Sequence, residues 1–185
     1  TVLCPPDHED LRTYYSKFKD FTKTNNIDLI TDVSSKMVDE YAIEHNPDIM
    51  IVCGYYRILP TKLLNSISMG VWGIHNSLLP KYRGGSPLVW QIINQEEVLG
   101  SSFFKFSDGI DDGLILDQVQ ISNFANLSIS EASDQIEQEW IDRIPSLWKD
   151  LCNGKVKPYE QLHKDATLSC ATWEVQFTNP NLPML

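Results

Sequence analysis

Ile49-Met50-Ile51-Val52-Cys53 is the stretch that decides the fold, and it lies between the turn-forming residues Pro47-Asp48 and Gly54. The run is short, wholly apolar and contains β-branched residues. Such a run is typical of a strand in a parallel sheet, because helices pack on both faces of that kind of sheet. The sequence therefore predicts a central parallel strand that ends at Gly54.

The same alternation of apolar runs and turn residues extends to both sides of this strand. The predicted order is a strand at 2–4, a helix at 11–24, a strand at 27–30, a helix at 37–42, the strand at 49–53, a helix at 59–67, a strand at 70–75, a helix at 87–94, strands at 101–106 and 114–121, and a long helix from 128 toward 153. This order predicts an α/β fold of the Rossmann-like, doubly wound kind with a mostly parallel sheet.

The long last helix carries two local signals. Ser128 and Glu131 have the spacing of a capping box, which predicts that the helix begins there. Pro145 falls inside the apolar pattern, so we expect it to bend or divide the helix.

Length and composition bound the class of protein. The chain has 185 residues, 42% of them hydrophobic, which predicts one globular domain over residues 1–185. Its formal net charge of -10, from 25 acidic and 15 basic residues, disfavours nucleic-acid binding. No apolar run is long enough for a membrane span, and the first residues lack the pattern of a secretory signal. We therefore expect a cytoplasmic protein that does not bind membranes.

The four cysteines, Cys4, Cys53, Cys152 and Cys170, are far apart and do not have metal-ligand spacing. We expect no metal site, and we interpret the cysteines as buried small residues.

Ligands of open parallel sheets bind beyond the carboxyl ends of the strands, which points to segments 54–60, 75–87 and 107–113. His75 ends a strand there, where an imidazole can donate to an oxyanion or exchange a proton near neutral pH. A hydrogen-bonded structural histidine would have the same pattern.

Charged residues accompany His75 in these segments. Asp111 and Asp112 suit a catalytic carboxylate, although Asp in such a turn also bonds its own backbone. Arg83 and Lys81 suit an anionic ligand, although loop cations are often simply solvated.

The segment after this strand resembles the signature of the formyltransferase family. Residues 75–87 read H-N-S-L-L-P-K-Y-R-G-G-S-P, which is similar to the family pattern H-x-S-L-L-P-x-x-R-G-x-x-P. Residues 110–115 (I-D-D-G-L-I) resemble the family's second motif, and Arg57-Ile58-Leu59-Pro60 resembles its I-L-P turn. Residues 154–158 with Ala166-Thr167 resemble the segment that closes the catalytic domain.

This resemblance implies the fold of a formyltransferase catalytic domain, with residues 155–185 as an extension packed on it. It also implies transfer of a formyl group from 10-formyltetrahydrofolate to an amine. His75 and Asp111 take the places of the family's catalytic histidine and aspartate. The residues that the resemblance places at the folate are Leu59, Phe106, Ser107, Asp108, Gly109 and Ile110.

One position departs from the family, which has Asn two residues before the histidine where this chain has Gly73. Residues 73, 75 and 77 of an extended strand share a face, so we expect Asn76 to point away and Ser77 or a water to fill the space. Loss of one oxyanion donor costs about 2.7–4 kcal/mol of transition-state stabilisation. A slower enzyme and a catalytically impaired folate- or nucleotide-binding homologue are both compatible with this change.

The resemblance leaves three classes of amine acceptor. The Y-R-G-x-x-P continuation at 82–87 and the acidic charge favour a nucleotide-linked amino sugar over glycinamide ribonucleotide and methionyl-tRNA. The predicted acceptor-binding residues are Ser77, Lys81, Arg83 and Gly84, with Lys81 or Arg83 at the nucleotide phosphates. Apolar positions on the last helix suit either a homodimer or a core.

Set against the family, the chain begins at the second strand. We expect an opening strand-helix unit of about 30 residues to precede Thr1 in the whole protein.

Overall fold

The computed structural model describes residues 1–4, 15–31, 35–54 and 58–169. The predicted start of the first helix at 11–14, Arg57, Cys170 and the rest of the predicted extension to 185 lie outside these residues. The chain divides into two compact units, one within residues 1–48 and 57–68 and the other within 49–56 and 69–185.

The first unit contains a small parallel sheet and three helices. Strand β1 (Val2–Leu3) pairs in parallel with β2 (Leu29–Ile30), and α1 (Tyr15–Thr24) lies between them in the chain. Helix α2 (Ser35–His45) packs against α3 (Thr61–Ser66). The buried apolar residues of this unit are Val38, Ala42, Leu59, Leu63 and Ile67.

The second unit is built on a four-stranded sheet. Its strands lie in the order β3 (Met50–Val52), β4 (Val71–His75), β5 (Val98–Lys105) and β6 (Ile115–Ser122). Strands β3 and β4 are parallel, whereas β4–β5 and β5–β6 are antiparallel. The predicted α/β class with parallel strands is confirmed.

Two details of the predicted sheet differ from the structure. The larger sheet is mixed rather than mostly parallel, because β5 runs antiparallel to both of its neighbours. Between β5 and β6, residues 106–114 are fewer than the dozen or so that a parallel crossover needs. Among the described strands β3 pairs only with β4, and Ile51 is 42% exposed, so β3 is an edge strand of the described sheet and not the central one that the sequence predicts. An apolar run indicates a strand but not how many neighbours pair with it.

The two faces of the larger sheet have different partners. One face packs on α4 (Pro87–Ile93) and α5 (Ile129–Cys152) through a core of Trp72, Leu88, Leu99, Phe103, Leu116, Val119, Ile136 and Trp140. The other face carries Gly73, His75, Ser102 and Phe104, because side chains alternate along β4 and β5. His75 is therefore on the face that α5 does not cover.

Helix α5 begins at the predicted capping box, and Pro145 does not divide it. The hydroxyl of Ser128 accepts from the Glu131 N–H, and the Glu131 carboxylate accepts from the Ser128 N–H. The helix continues through Pro145, which is exposed, so that water can bond to the carbonyl that proline leaves without a donor. In the described parts of the chain, none of the helices combines the length and the apolar character needed to cross a membrane.

The cysteines are less buried than expected. Cys53 and Cys152 are exposed and Cys4 is half-buried. Cys53 directly follows β3 and Cys152 is the last residue of α5, and the ends of elements face solvent more than their middles do.

Residues 159–169, which we call the C-terminal strap, form bridges to two other segments of the second unit. Tyr159 forms an antiparallel bridge with Ile115 at the start of β6, and Leu168 forms a parallel bridge with Arg83. A short 3-10 helix, His163–Asp165, lies between the two bridges. The strap therefore connects β6 to the loop that follows β4.

We predict that Ser128→Ala lowers the free energy of unfolding by about 1 kcal/mol, because one N-cap hydrogen bond to the first turn of α5 is lost. The Glu131 carboxylate accepts from the hydroxyl and the N–H of Ser128, which lowers the pKa of Glu131. The part of the stabilisation that the carboxylate contributes is therefore present at neutral pH and is lost as the pH falls through the folded-state value. Urea unfolding at neutral and at acidic pH measures both effects. Ser130→Ala, two residues along the same exposed turn, is the control, and an equal loss there would contradict the capping explanation.

Candidate active site

Serines of β5 fix the backbone where the chain leaves β4. The Ser101 hydroxyl donates to the His75 carbonyl at 3.1 Å, and the Ser102 hydroxyl donates to the Ser77 carbonyl at 2.6 Å. The Leu79 N–H in turn donates to Ser102 Oγ at 3.0 Å. The chain therefore turns at a fixed place directly after the strand, and this turn begins the motif loop, residues 76–86.

His75 is 9% exposed, and its ring has a partner on each nitrogen. Nε2 lies 2.7 Å from the Tyr82 carbonyl, which can only accept, so Nε2 is the donor. Nδ1 lies 3.4 Å from Oδ2 of Asp111, and the Phe104 ring packs edge-on at a centroid distance of 6.1 Å. Since Nε2 is held by the backbone, the Nδ1 edge beside Asp111 is the one left for reacting atoms.

Asp111 reaches His75 from the turn between β5 and β6. Its φ is +48°, in the left-handed region, and its Oδ2 also accepts from the Gly84 N–H at 2.8 Å. The neighbouring Asp112 accepts from the Ser107 hydroxyl instead. Of the two aspartates that the sequence offered, Asp111 is the one beside the histidine.

The predicted folate segment, residues 106–110, forms the outer part of this turn. Asp108, Gly109 and Ile110 are exposed, and the Ile110 side chain is 61% exposed. Their backbone N–H groups donate to no other residue within the described ranges. An exposed apolar side chain beside free N–H donors suits a flat heteroaromatic ring with acceptor atoms.

Arg83 is held by the C-terminal strap. Its Nη2 and Nε donate to Gln161 Oε1 at 2.6 and 3.1 Å, and Nη2 also lies 3.1 Å from His163 Nδ1. Lys81 is exposed, whereas Ser77 is fully buried and its hydroxyl donates to the Lys81 carbonyl at 2.6 Å. Among the predicted acceptor-binding side chains, Lys81 and Arg83 face the surface and Ser77 does not.

Tyr82 anchors the motif loop on its other side. Its hydroxyl donates to Glu96 at 2.5 Å and accepts from Asn94 at 2.9 Å. Burial, and next the bond to Glu96, raise the pKa of Tyr82, so the hydroxyl remains a donor at neutral pH. This anchor helps to keep the Tyr82 carbonyl against His75.

Comparison with known proteins identifies the family. The sequence profile described as formyl transferase matches residues 12–145. The chain belongs to the formyl transferase family. It is 27% identical over 178 residues to the methionyl-tRNA formyltransferase of Acetivibrio thermocellus, covering 91% of this chain and 57% of that protein. The chain thus spans little more than half the length of this relative.

Solved structures of the family share the fold. WlaRD, described as a sugar 3N-formyl transferase in the presence of dTDP and 5-N-formyl-THF, superposes with a TM-score of 0.68 at 18% identity, covering 91% of this chain and 58% of WlaRD. The formyltransferase PseJ from Anoxybacillus kamchatkensis, in complex with a UDP-linked formamido sugar and tetrahydrofolate, gives 0.66 at 20% identity, covering 90% of this chain and 82% of PseJ. The predicted formyltransferase fold is confirmed.

The space beside Gly73 in this formyl transferase chain is filled by an aromatic ring. A Cβ added at Gly73 would lie 2.5 Å from Cε2 of Phe106 and 2.8 Å from the Val52 carbonyl oxygen. Phe106 also packs on Phe104, with ring centroids 5.0 Å apart. The expectation that Ser77 or a water fills this space is wrong, because Phe106 takes the volume and the Ser77 hydroxyl is used within the motif loop.

Asn76 does not supply the missing amide donor. Its Oδ1 lies 3.0 Å from Ser101 Oγ and shares the hydroxyl proton with the His75 carbonyl, and Ser101 Oγ accepts from the indole N–H of Trp140 at 3.0 Å. Asn76 is thus directed toward the α5 side of the sheet, as the strand alternation predicts. The wall of the site at Gly73 is apolar.

One predicted residue, Leu59, remains to be placed, and three groups of the site were not predicted. Leu59 lies in the first unit and is buried there, and its role at the folate stays a prediction. Sequence reasoning missed Gln161, Phe104 and the carbonyl of Tyr82. Only the position of Gln161 between residues 154–158 and Ala166-Thr167, which resemble the family, could have drawn attention to it.

We predict that Gly73→Ala destabilises the protein by about 1–3 kcal/mol, the usual cost of overpacking, because the new methyl group meets Phe106 and the Val52 carbonyl. In a Phe106→Ala background the cost of the same change should be smaller, although the Val52 contact remains. Denaturant unfolding of the four proteins in this cycle measures the coupling. Gly85→Ala, where a Cβ has open space, is the control, and equal costs in both backgrounds would show that Phe106 does not fill this space.

Proposed function

We propose that this chain transfers a formyl group from 10-formyltetrahydrofolate to the amine of a nucleotide-linked amino sugar. The observation that carries the proposal is the His75–Asp111 pair, with Nδ1 and Oδ2 3.4 Å apart and the Gly84 N–H on the same carboxylate oxygen. It is an acid–base pair whose members are both held by the backbone of the motif loop: the Gly84 N–H donates to Asp111, and the Tyr82 carbonyl accepts from His75. Proton transfer and charge stabilisation are what formyl transfer to an amine requires.

In the proposed reaction the acceptor nitrogen attacks the formyl carbon, and a C–N bond forms while the carbonyl oxygen takes negative charge. His75 donates to this oxyanion from Nδ1, which requires the imidazolium form, because Nε2 keeps its own proton for the Tyr82 carbonyl. Asp111 accepts the proton that leaves the attacking nitrogen, directly or through a water. The bond from the formyl carbon to the folate nitrogen then breaks, and that nitrogen takes up a proton to release tetrahydrofolate.

In this proposal the formyl donor, 10-formyltetrahydrofolate, binds at the turn formed by residues 106–110. The N–H groups of Asp108, Gly109 and Ile110 face acceptor atoms of the pterin, and Ile110 covers its ring. Phe106 closes the site beside Gly73, which keeps water from the formyl carbon but offers no donor to its oxygen. We therefore expect His75 to carry more of the oxyanion stabilisation than it would beside a second donor.

Charge supports a small anionic acceptor. Lys81 is exposed on the motif loop, and Arg83 lies two residues further on, so a diphosphate could bind between them. The net charge of -10 opposes a polyanion that must contact a wide surface. WlaRD and PseJ, whose fold the chain shares, are described with a nucleotide or a nucleotide-linked sugar.

Methionyl-tRNA is the second candidate acceptor, because the relative from Acetivibrio thermocellus is a methionyl-tRNA formyltransferase. Transfer to tRNA would depend strongly on salt, since each neutralised phosphate releases counterions. Transfer to a nucleotide sugar would depend on salt only weakly.

We predict that His75→Ala and Asp111→Asn each lower kcat/KM for formyl transfer by about 10²–10⁴-fold, the usual contribution of a general acid or base. His45→Asn, an exposed histidine of the first unit, should leave the rate unchanged. Folate binding measured by calorimetry shows whether the variants keep the site. Wild-type turnover in His75→Ala would overturn the assignment of the catalytic pair.

We predict that only nucleotide-linked amino sugars gain one formyl group when the whole protein is given 10-formyltetrahydrofolate and a panel of amines that includes glycinamide ribonucleotide and methionyl-tRNA. Lys81→Ala should raise KM for the sugar about tenfold, as expected for a lost charged hydrogen bond, and Lys149→Ala on α5 is its control. Mass spectrometry measures the product.

Formylation of tRNA alone would replace the acceptor, and tetrahydrofolate release without an amine would indicate hydrolysis. Folate binding with no turnover on any acceptor would indicate an impaired homologue.

A further inference from the structure

Gln161 of the C-terminal strap uses its whole side-chain amide to join two parts of the site. Oε1 accepts from Nη2 and Nε of Arg83 at 2.6 and 3.1 Å. Nε2 donates to the carbonyls of Asp111 and Gly113, both at 2.8 Å. The residue is 3% exposed, and both donors and both acceptor positions of the amide are occupied.

The orientation of this amide has only one solution. Arg83 offers donors alone, and the carbonyls of Asp111 and Gly113 offer acceptors alone. A rotated amide would place N–H groups against the guanidinium and an oxygen against two carbonyls. In the observed orientation all four contacts of Gln161 are hydrogen bonds, whereas in the rotated orientation all four would be repulsive.

One consequence concerns the backbone of Asp111. Its φ of +48° is unusual for a residue other than glycine, and such a conformation persists where the surroundings hold it. Gln161 holds the carbonyl of Asp111 while the Gly84 N–H holds its carboxylate. These two contacts set the direction in which the carboxylate points toward His75.

The other consequence concerns the guanidinium of Arg83. Nη2 and Nε are bound to Gln161, and Nη2 also contacts His163. Within the part of the chain that the structure describes, Nη1 makes no hydrogen bond. This nitrogen is therefore the one that can bind an anionic group, and Gln161 sets where it points.

We propose that Gln161 is a positioning residue that sets the Asp111 carboxylate and the Arg83 guanidinium relative to each other. One side chain thereby places both the proton acceptor and the anion-binding group of the acceptor site. This inference rests on the proposed function for its kinetic test. Its structural core, the hold on Asp111, is tested without any substrate.

Three variants of the whole protein separate the contact of Gln161 with Arg83 from its contacts with Asp111 and Gly113. Gln161→Ala removes all four hydrogen bonds, and Gln161→Met removes them while keeping the length of the side chain. Gln161→Glu keeps oxygen acceptors for Arg83 but has no N–H for Asp111 and Gly113. Gln120→Ala, an exposed glutamine of β6, is the matched control. All are assayed below the melting temperatures that circular dichroism gives, and Gln161→Met replaces Gln161→Ala if the latter does not fold.

We expect Gln161→Ala to lower kcat by about 10- to 100-fold, because a misplacement of catalytic groups by about 1 Å costs that much, and to raise KM for the acceptor. Gln161→Glu should show the same loss of kcat with a KM within about twofold of wild type. A kcat within about twofold of wild type in either variant, or equal changes in KM in both, would overturn the proposal.

The hold on Asp111 is read from the His75 ring by NMR of protein labelled with ¹⁵N in its four histidines, with His75→Asn for assignment. Gln161→Ala should move the His75 ring signals in the same direction as Asp111→Asn, and Gln120→Ala should not move them. His75 signals that stay at the wild-type position in Gln161→Ala while Asp111→Asn moves them would overturn the inference. This readout needs no acceptor, so a wild-type protein that formylates nothing would refute the proposed function and leave this test to decide the role of Gln161.

Discussion

One carboxylate oxygen, Oδ2 of Asp111, joins the elements of the site. It accepts from the Gly84 N–H in the motif loop and faces Nδ1 of His75 at the end of β4. The residue that carries it sits in a hairpin turn with a left-handed backbone, which the strap holds through Gln161. A charge shared by three segments constrains all of them, because the displacement of any one would leave a half-buried carboxylate with fewer partners.

The sheet supplies the fixed side of this arrangement. Ser101 and Ser102 are neighbours on β5 and point to opposite faces, so one ties the backbone of His75 to the α5 core and the other ties the start of the motif loop. The antiparallel pairing of β4 with β5 is what brings these serines opposite the end of β4. The mixed sheet therefore has a functional consequence, because it fixes the point at which the motif loop starts. From that point the loop brings the Tyr82 carbonyl to the His75 ring.

Phe106 changes how the Gly73 position is understood. Taken alone, a glycine there leaves a gap where an amide donor is missing. In the fold the gap does not exist, because the ring of Phe106 occupies it and packs on Phe104. Gly73 and Phe106 together form an apolar wall beside His75. Polar contacts with the reacting groups are therefore left to the His75–Asp111 pair.

The sequence by itself determined the α/β class, the strand that ends at His75, the capping box of α5 and the family, because these follow from periodicity and from motifs of residues close together in the chain. Only the tertiary structure decided that β4 and β5 run antiparallel, that Phe106 fills the space at Gly73 and that Gln161 binds Arg83. Each of these depends on which segments, up to 78 residues apart for Arg83 and Gln161, come into contact. Local patterns do not encode that, since the choice between neighbours is made by packing and by the need to pair buried polar groups.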